Sequence, residues 1–270
     1  MKTKLLAAML GLAFAGFAGS ASADVVVGGI DFGTPGTTNL DTTTIGETLI
    51  TGNAQTLQGY GEINTINGNP LYCAVAANCR LFFTFTNYVS QNFSAGSSEF
   101  TGGVVNVYYD PNGITHNLLN FSSAADIAYI NGLSQFVQLD GHGNLGAPTA
   151  ATSTLRSTGT LTGANISFSG NGLLDVNTAS FGLAAVRAYL NGNSQVDAVG
   201  GLADILITTS GSNSVLNPND TCTGAAGQFC IQGSADLRGR TVLPEPGSLA
   251  LAGLALGVLG MVRRRSTKPS

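Results

Sequence analysis

The sequence contains no tryptophan, and only 7% of its 270 residues are aromatic. A groove for stacking sugar rings has little to be built from, and no pair of carboxylates is marked as the acid and base of a glycosidase. Between Asp24 and Leu243 there is no lysine, and five arginines stand against fourteen acids, a net charge of −9 over 220 residues. That balance excludes nucleic-acid binding by phosphate neutralisation. Histidine occurs only at His116 and His142, neither close to a cysteine in sequence, so no zinc site with four converging ligands is indicated. There is no G-x-S-x-G elbow, no H-E-x-x-H helix and no phosphate-cradling glycine loop followed by lysine. Asp126 or Asp140 with His142 could supply two members of a triad, but nothing locates a nucleophile. The expectation is a protein that is not an enzyme.

What is abundant is glycine, threonine, serine and asparagine. Turn dipeptides stand at Asn67-Gly68, Asn112-Gly113, Asn131-Gly132, Asp140-Gly141, Asn171-Gly172 and Asn191-Gly192, and such pairs close hairpins because they accept positive φ. Strand-like runs lie between them: LFFTFTN from Leu81, FTGGVVNVYYD from Phe100, LSQFVQLD from Leu133 and LADILITTS from Leu202. In the first, Leu81, Phe83 and Phe85 share one face and Phe82, Thr84 and Thr86 the other. Residues 153–170 read as a long, partly exposed strand or hairpin. FGLAAVRAYL from Phe181 and, more weakly, SSAADIAYI from Ser122 are compatible with helix or strand. The predicted fold is all-β, a single antiparallel sandwich-like domain over 24–240.

Four cysteines allow three connectivities, and local pairing of Cys73 with Cys79 and of Cys222 with Cys230 is expected in an oxidising compartment. Asp110 in YYDPNG and Asp140 and Asn144 in LDGHGN are weak calcium candidates, because Asp and Asn oxygens in a glycine-rich loop are ordinary ligands of that ion. The same residues also serve as hairpin turns that bond their own backbone. No other cofactor is expected.

Both ends carry addresses. Met1-Lys2-Thr3-Lys4, an apolar run from Leu5 to Gly19, and Ala21-Ser22-Ala23 before Asp24 have the layout of a secretory signal peptide over 1–23. Residues 241–270 contain Pro244-Glu245-Pro246, an apolar stretch of 16 residues from Gly247 to Val262, and Arg263, Arg264 and Arg265. The stretch is marginal for a membrane span, which takes about 20 residues. The arginines hold its end on the cytoplasmic side of the inner membrane. The two prolines keep the preceding backbone extended, as a processing cleft requires.

These three elements in this order resemble the PEP-CTERM sorting signal of Gram-negative bacteria. The resemblance implies processing by an exosortase near Pro-Glu-Pro, after transient membrane insertion, and delivery to the cell surface or extracellular matrix. Residues 55–69, 80–88, 100–110 and 170–177 are similar to the flocculation-associated group of such proteins. That similarity implies association with exopolysaccharide and promotion of biofilm or floc formation. The alternative is a surface carbohydrate-active or calcium-dependent glycan-binding module acting on that polymer.

Overall fold

The computed structural model describes residues 24–179 and 182–241. The leader with Ala21 and Ala23, Phe181, and the tail with Pro244, Glu245, Pro246, Arg263, Arg264 and Arg265 lie outside them. In chain order the strands are β1 (Val26–Val27), β2 (Ile30–Asp31), β3 (Thr37–Thr48), β4 (Thr56–Ile63), β5 (Thr65–Ile66), β6 (Arg80–Gln91) and β7 (Ser97–Asp110). Then come helix α1 (Ser123–Asn131), β8 (Ser134–His142), β9 (Ser153–Thr160), β10 (Ser167–Val176) and helix α2 (Ala184–Leu190). The last strands are β11 (Gln195–Val196), β12 (Leu202–Ala203), β13 (Ile205–Ser212) and β14 (Phe229–Arg240).

The main sheet runs β13-β14-β3-β4-β6-β7-β8-β10, and β10 pairs back to β13 over eight residues, from Ser167 with Ser212 to Leu174 with Ile205. The result is a closed antiparallel barrel of eight positions, where two stacked sheets were expected. Its seventh position, between β7 and β10, is shared end to end. β8 takes the Val104–Tyr109 half of β7 and β9 the Ser97–Thr101 half. The alternation of residues is the same in a sandwich and a barrel, so the difference lies in twist. Strands of 12 to 14 residues carry register shifts at Leu57/Gly59, Val107/Tyr108, Phe100/Thr101 and Gly233/Ala235. Such bulges bend and coil strands, and closure then satisfies edges that a sandwich leaves open.

Leu81 and Phe83 are buried in the central core with Phe85 packed against it, while Phe82 on the opposite face belongs to a separate cluster beside α1. Burying each such side chain contributes about 1.5–3 kcal/mol. Both helix-compatible segments are helical; Ser122 caps α1 by accepting from the Ala125 N–H. At the barrel end where β4 finishes and β6 begins, Tyr72 donates to the Ile63 carbonyl at 2.7 Å and accepts from the Leu81 N–H at 3.1 Å. Phe32 meets Tyr189 of α2 there, ring centroids 5.0 Å apart.

Two of the expected turns are not turns. Asp140-Gly141 lies within β8 and Asn171-Gly172 within β10, and neither glycine has positive φ. A Cβ on Gly141 would stand 2.0 Å from the Gly102 carbonyl oxygen, and one on Gly172 2.5 Å from that of Thr154. Glycine is required at these two positions because neighbouring backbone comes close. Asn67-Gly68 does turn, with φ of 50° and 77°.

Candidate functional site

The outer face of β9, β10, β13 and β14 presents one short polar side chain at nearly every outward position. Three rungs run across the strands: Thr160, Ser167, Ser212 and Gln232; then Thr158, Ser169, Ser210 and Ser234; then Arg156, Asn171, Thr208 and Asp236. Period-two alternation puts these residues outside while Leu155, Gly170, Ile207 and Ala235 turn inward. Adjacent strands stand about 4.8 Å apart, so the first two rungs form a regular grid of hydroxyl and amide groups, and the third ends on the charged Arg156 and Asp236. Ser210 and Ser234 bond each other through their hydroxyls at 2.8 Å. A shallow depression of about 490 Å³ lies on this face, bounded by Thr43 of β3 and Ser214 and by Ser167, Ser210, Ser212, Gln232 and Ser234 of the first two rungs. Its chemistry is that of a surface able to give and accept hydrogen bonds with uncharged groups. The sequence reading saw the polar alternation of 153–170 but not the grid, since the rungs bring together residues up to 80 positions apart, Arg156 and Asp236 at the extreme.

The calcium candidates do not converge. Asp110 caps its own turn by accepting from the Asn112 N–H at 2.9 Å and also accepts from the Tyr129 hydroxyl. Asp140, a strand residue, accepts from Gln138 at 2.9 Å and from Asn177 at 2.7 Å. Asn144 donates to Asp197 at 3.3 Å. Among the described residues no group of three or more His, Cys, Asp or Glu side chains is arranged to hold a metal.

His142 sits between two carboxylates, Nδ1 2.8 Å from Asp175 and Nε2 3.1 Å from Asp197. Burial opposes its charged form, but the hydrogen bonds and charges of Asp175 and Asp197 outweigh that, and its pKa is raised. Desolvation likewise opposes ionisation of Asp197. Hydrogen bonds from His142, the Val199 and Gly201 N–H groups and Asn144 overcome it and bring the carboxyl down to about 2. Asp126 pairs with His116, at 3.0 Å, and not with His142. No serine, threonine or cysteine side chain bonds either imidazole among the described residues, so the triad considered from sequence is not assembled.

Cys73 bonds Cys79 and Cys222 bonds Cys230, with Cα separations of 5.8 and 5.3 Å. They pin opposite ends of the barrel: the first within the β5–β6 connection, the second tying Cys222 of the β13–β14 loop to Cys230 at the start of β14. Two disulfides fit an exported protein. No family model, curated protein or solved structure matches the chain.

Proposed function

We propose that this is an exported, exosortase-sorted protein of the cell surface or extracellular matrix, one that associates with exopolysaccharide and promotes floc or biofilm formation without turning over a substrate. The observation that carries the association is the grid of uncharged hydroxyl and amide groups in the first two rungs across β9, β10, β13 and β14. A domain with fourteen acids and no lysine favours a neutral polymer over an anionic one. The two disulfides support an oxidising destination. The proposed addresses remain the leader before Asp24 and the tail with Pro244-Glu245-Pro246 and its arginines.

Co-sedimentation with exopolysaccharide from the producing cells tests the association. Replacing Ser169 and Ser210 by Val together should weaken it by roughly tenfold or more, since each lost hydrogen bond contributes about 0.5–1.5 kcal/mol. Stability should change little, as these are exposed strand positions. Undiminished sedimentation of the double variant moves the contact elsewhere. Replacing Pro244, Glu245 and Pro246 by alanine tests the address: the protein should stay in the inner membrane and flocculation should be lost. Normal flocculation by that strain sinks the sorting account.

A further inference from the structure

The interior of the barrel is not filled. A cavity of about 90 Å³ remains among its inward side chains, where a single water needs only about 10–15 Å³. Its lining on β3 and just beyond extends from Leu40 to Ile50, so it follows nearly the full length of that strand. The walls are overwhelmingly aliphatic and aromatic: Leu57, Ile63, Val105, Leu155, Ile207 and Phe83 among them.

Set into this wall is a carboxyl group. Glu47 is only 4% exposed, lines the cavity, and no charged or hydrogen-bonding group offsets its burial. The neighbouring wall makes room for it: a Cβ on Gly233 would fall 2.6 Å from Glu47 Oε1. Ser98, at 1% exposure, lines the same cavity with a hydroxyl oxygen that has no hydrogen-bond partner. Ser98 stands opposite Ser157 of β9, which also lines the cavity. A buried carboxyl and hydroxyl without partners are unfavourable by about 1–3 kcal/mol each, so their retention beside empty space points to something that bonds them.

We propose that the barrel interior binds a slender, mainly aliphatic small molecule with one uncharged oxygen-bearing head group, the Glu47 carboxyl donating a hydrogen bond to that oxygen. Glu47 and Tyr88 are the only ionisable side chains among the lining residues. Burial pushes the Glu47 carboxyl up to about 8, so at neutral pH it is a donor. Burial, then the charge of Asp140, pushes the Tyr88 phenol upward as well, so no charge competes for the head group. An alcohol, ester or ketone suits this cavity, whereas a carboxylate or sulfonate would bring an unpaired charge into it.

The test uses the protein purified as cells export it, titrated with the neutral fluorophore N-phenyl-1-naphthylamine. Saturable enhancement is expected, with displacement by 1-decanol and methyl decanoate and displacement by decane-1-sulfonate weaker by roughly tenfold or more. Raising the pH from about 6 to about 9, across the Glu47 value of about 8, should weaken methyl decanoate, whose ester oxygens only accept, several-fold, and Glu47→Gln should remove that dependence. Ala235→Phe, which fills the cavity from β14, should abolish fluorophore binding while the melting transition persists. Absence of saturable binding to the folded protein overturns the proposal and leaves a water-filled interior. Binding that Ala235→Phe leaves intact places the fluorophore outside the barrel and also overturns it. If Ala235→Phe fails to fold, the pH profile decides: a profile unchanged in Glu47→Gln overturns the role of the carboxyl.

Discussion

Replacing Glu47 by Gln is expected to raise the melting temperature near pH 8 and to leave it almost unchanged near pH 4.5. Burial lifts the carboxyl from an ordinary 4.5 to about 8 in the folded barrel. Between those values the folded protein retains a proton that the unfolded chain has released, so stability falls as pH rises. The full contribution is present below the unfolded value and is gone once pH passes through the folded one. At about 1.4 kcal/mol per pH unit the window amounts to on the order of 4–5 kcal/mol. For a domain of this size each kcal/mol moves the melting point by about 2–4 °C.

His142, also raised, acts in the same direction: its contribution is present below its ordinary 6.5 and is lost as pH climbs through the folded value. Asp197 acts oppositely, contributing above its ordinary 3.8 and losing that contribution as pH falls toward about 2. The stability maximum therefore lies on the acid side of neutrality. Scanning calorimetry of the wild-type protein and Glu47→Gln at several pH values checks this. Equal melting points near pH 8 contradict a carboxyl held in an apolar interior.

The second large effect is expected at Asp126. Its side chain is wholly buried and joins three segments on the outside of the barrel. Oδ1 meets His116 Nε2 at 3.0 Å, and Oδ2 accepts from Asn217 Nδ2 at 3.2 Å. His116 in turn stacks on Tyr129 of α1, ring centroids 3.7 Å apart. Asn217, also fully buried, donates to the Leu118 carbonyl at 2.9 Å. Burial raises the Asp126 carboxyl, and hydrogen bonds from His116 and Asn217 pull against that rise. Asp126→Ala leaves His116 Nε2 and one of the two Asn217 amide hydrogens without their acceptor, the other staying on the Leu118 carbonyl. Each loss is worth about 1–3 kcal/mol, so a loss of about 3 kcal/mol is expected. Asp126→Asn preserves the shape and one acceptor and should lose less. The unfolding midpoint in urea should drop with little change of slope; a loss below about 1 kcal/mol would show that water already reaches this network.

Local features were legible in the chain because they depend on near neighbours. Leu81, Phe83 and Phe85 share a face in the strand as their spacing requires, and the turn at Asn67-Gly68 follows from two residues that tolerate positive φ. Gly141 and Gly172 were misread for the complementary reason. A glycine needed for close approach of a neighbouring strand looks the same in sequence as one needed for a turn. Asp140 and Asn144 looked like ligands of one ion, but the strand carries Asp140 to Asn177 while Asn144 reaches Asp197. The hydroxyl grid was legible only as composition.

The chain alone determined that strands would dominate, where many of them run, which of their faces are apolar, and that the stretch from Asp24 to Leu243 is acidic and free of lysine. Those properties are written in alternation, turn chemistry and charge, which act over a few residues. Tertiary structure alone decided that β10 closes onto β13 and that Ser169, Ser210 and Ser234 stand in one rung. It also decided that Glu47 faces an apolar cavity. Each of these depends on twist and register accumulated around eight strands, and a shift of one residue in any pairing would exchange the inside of the barrel for its outside.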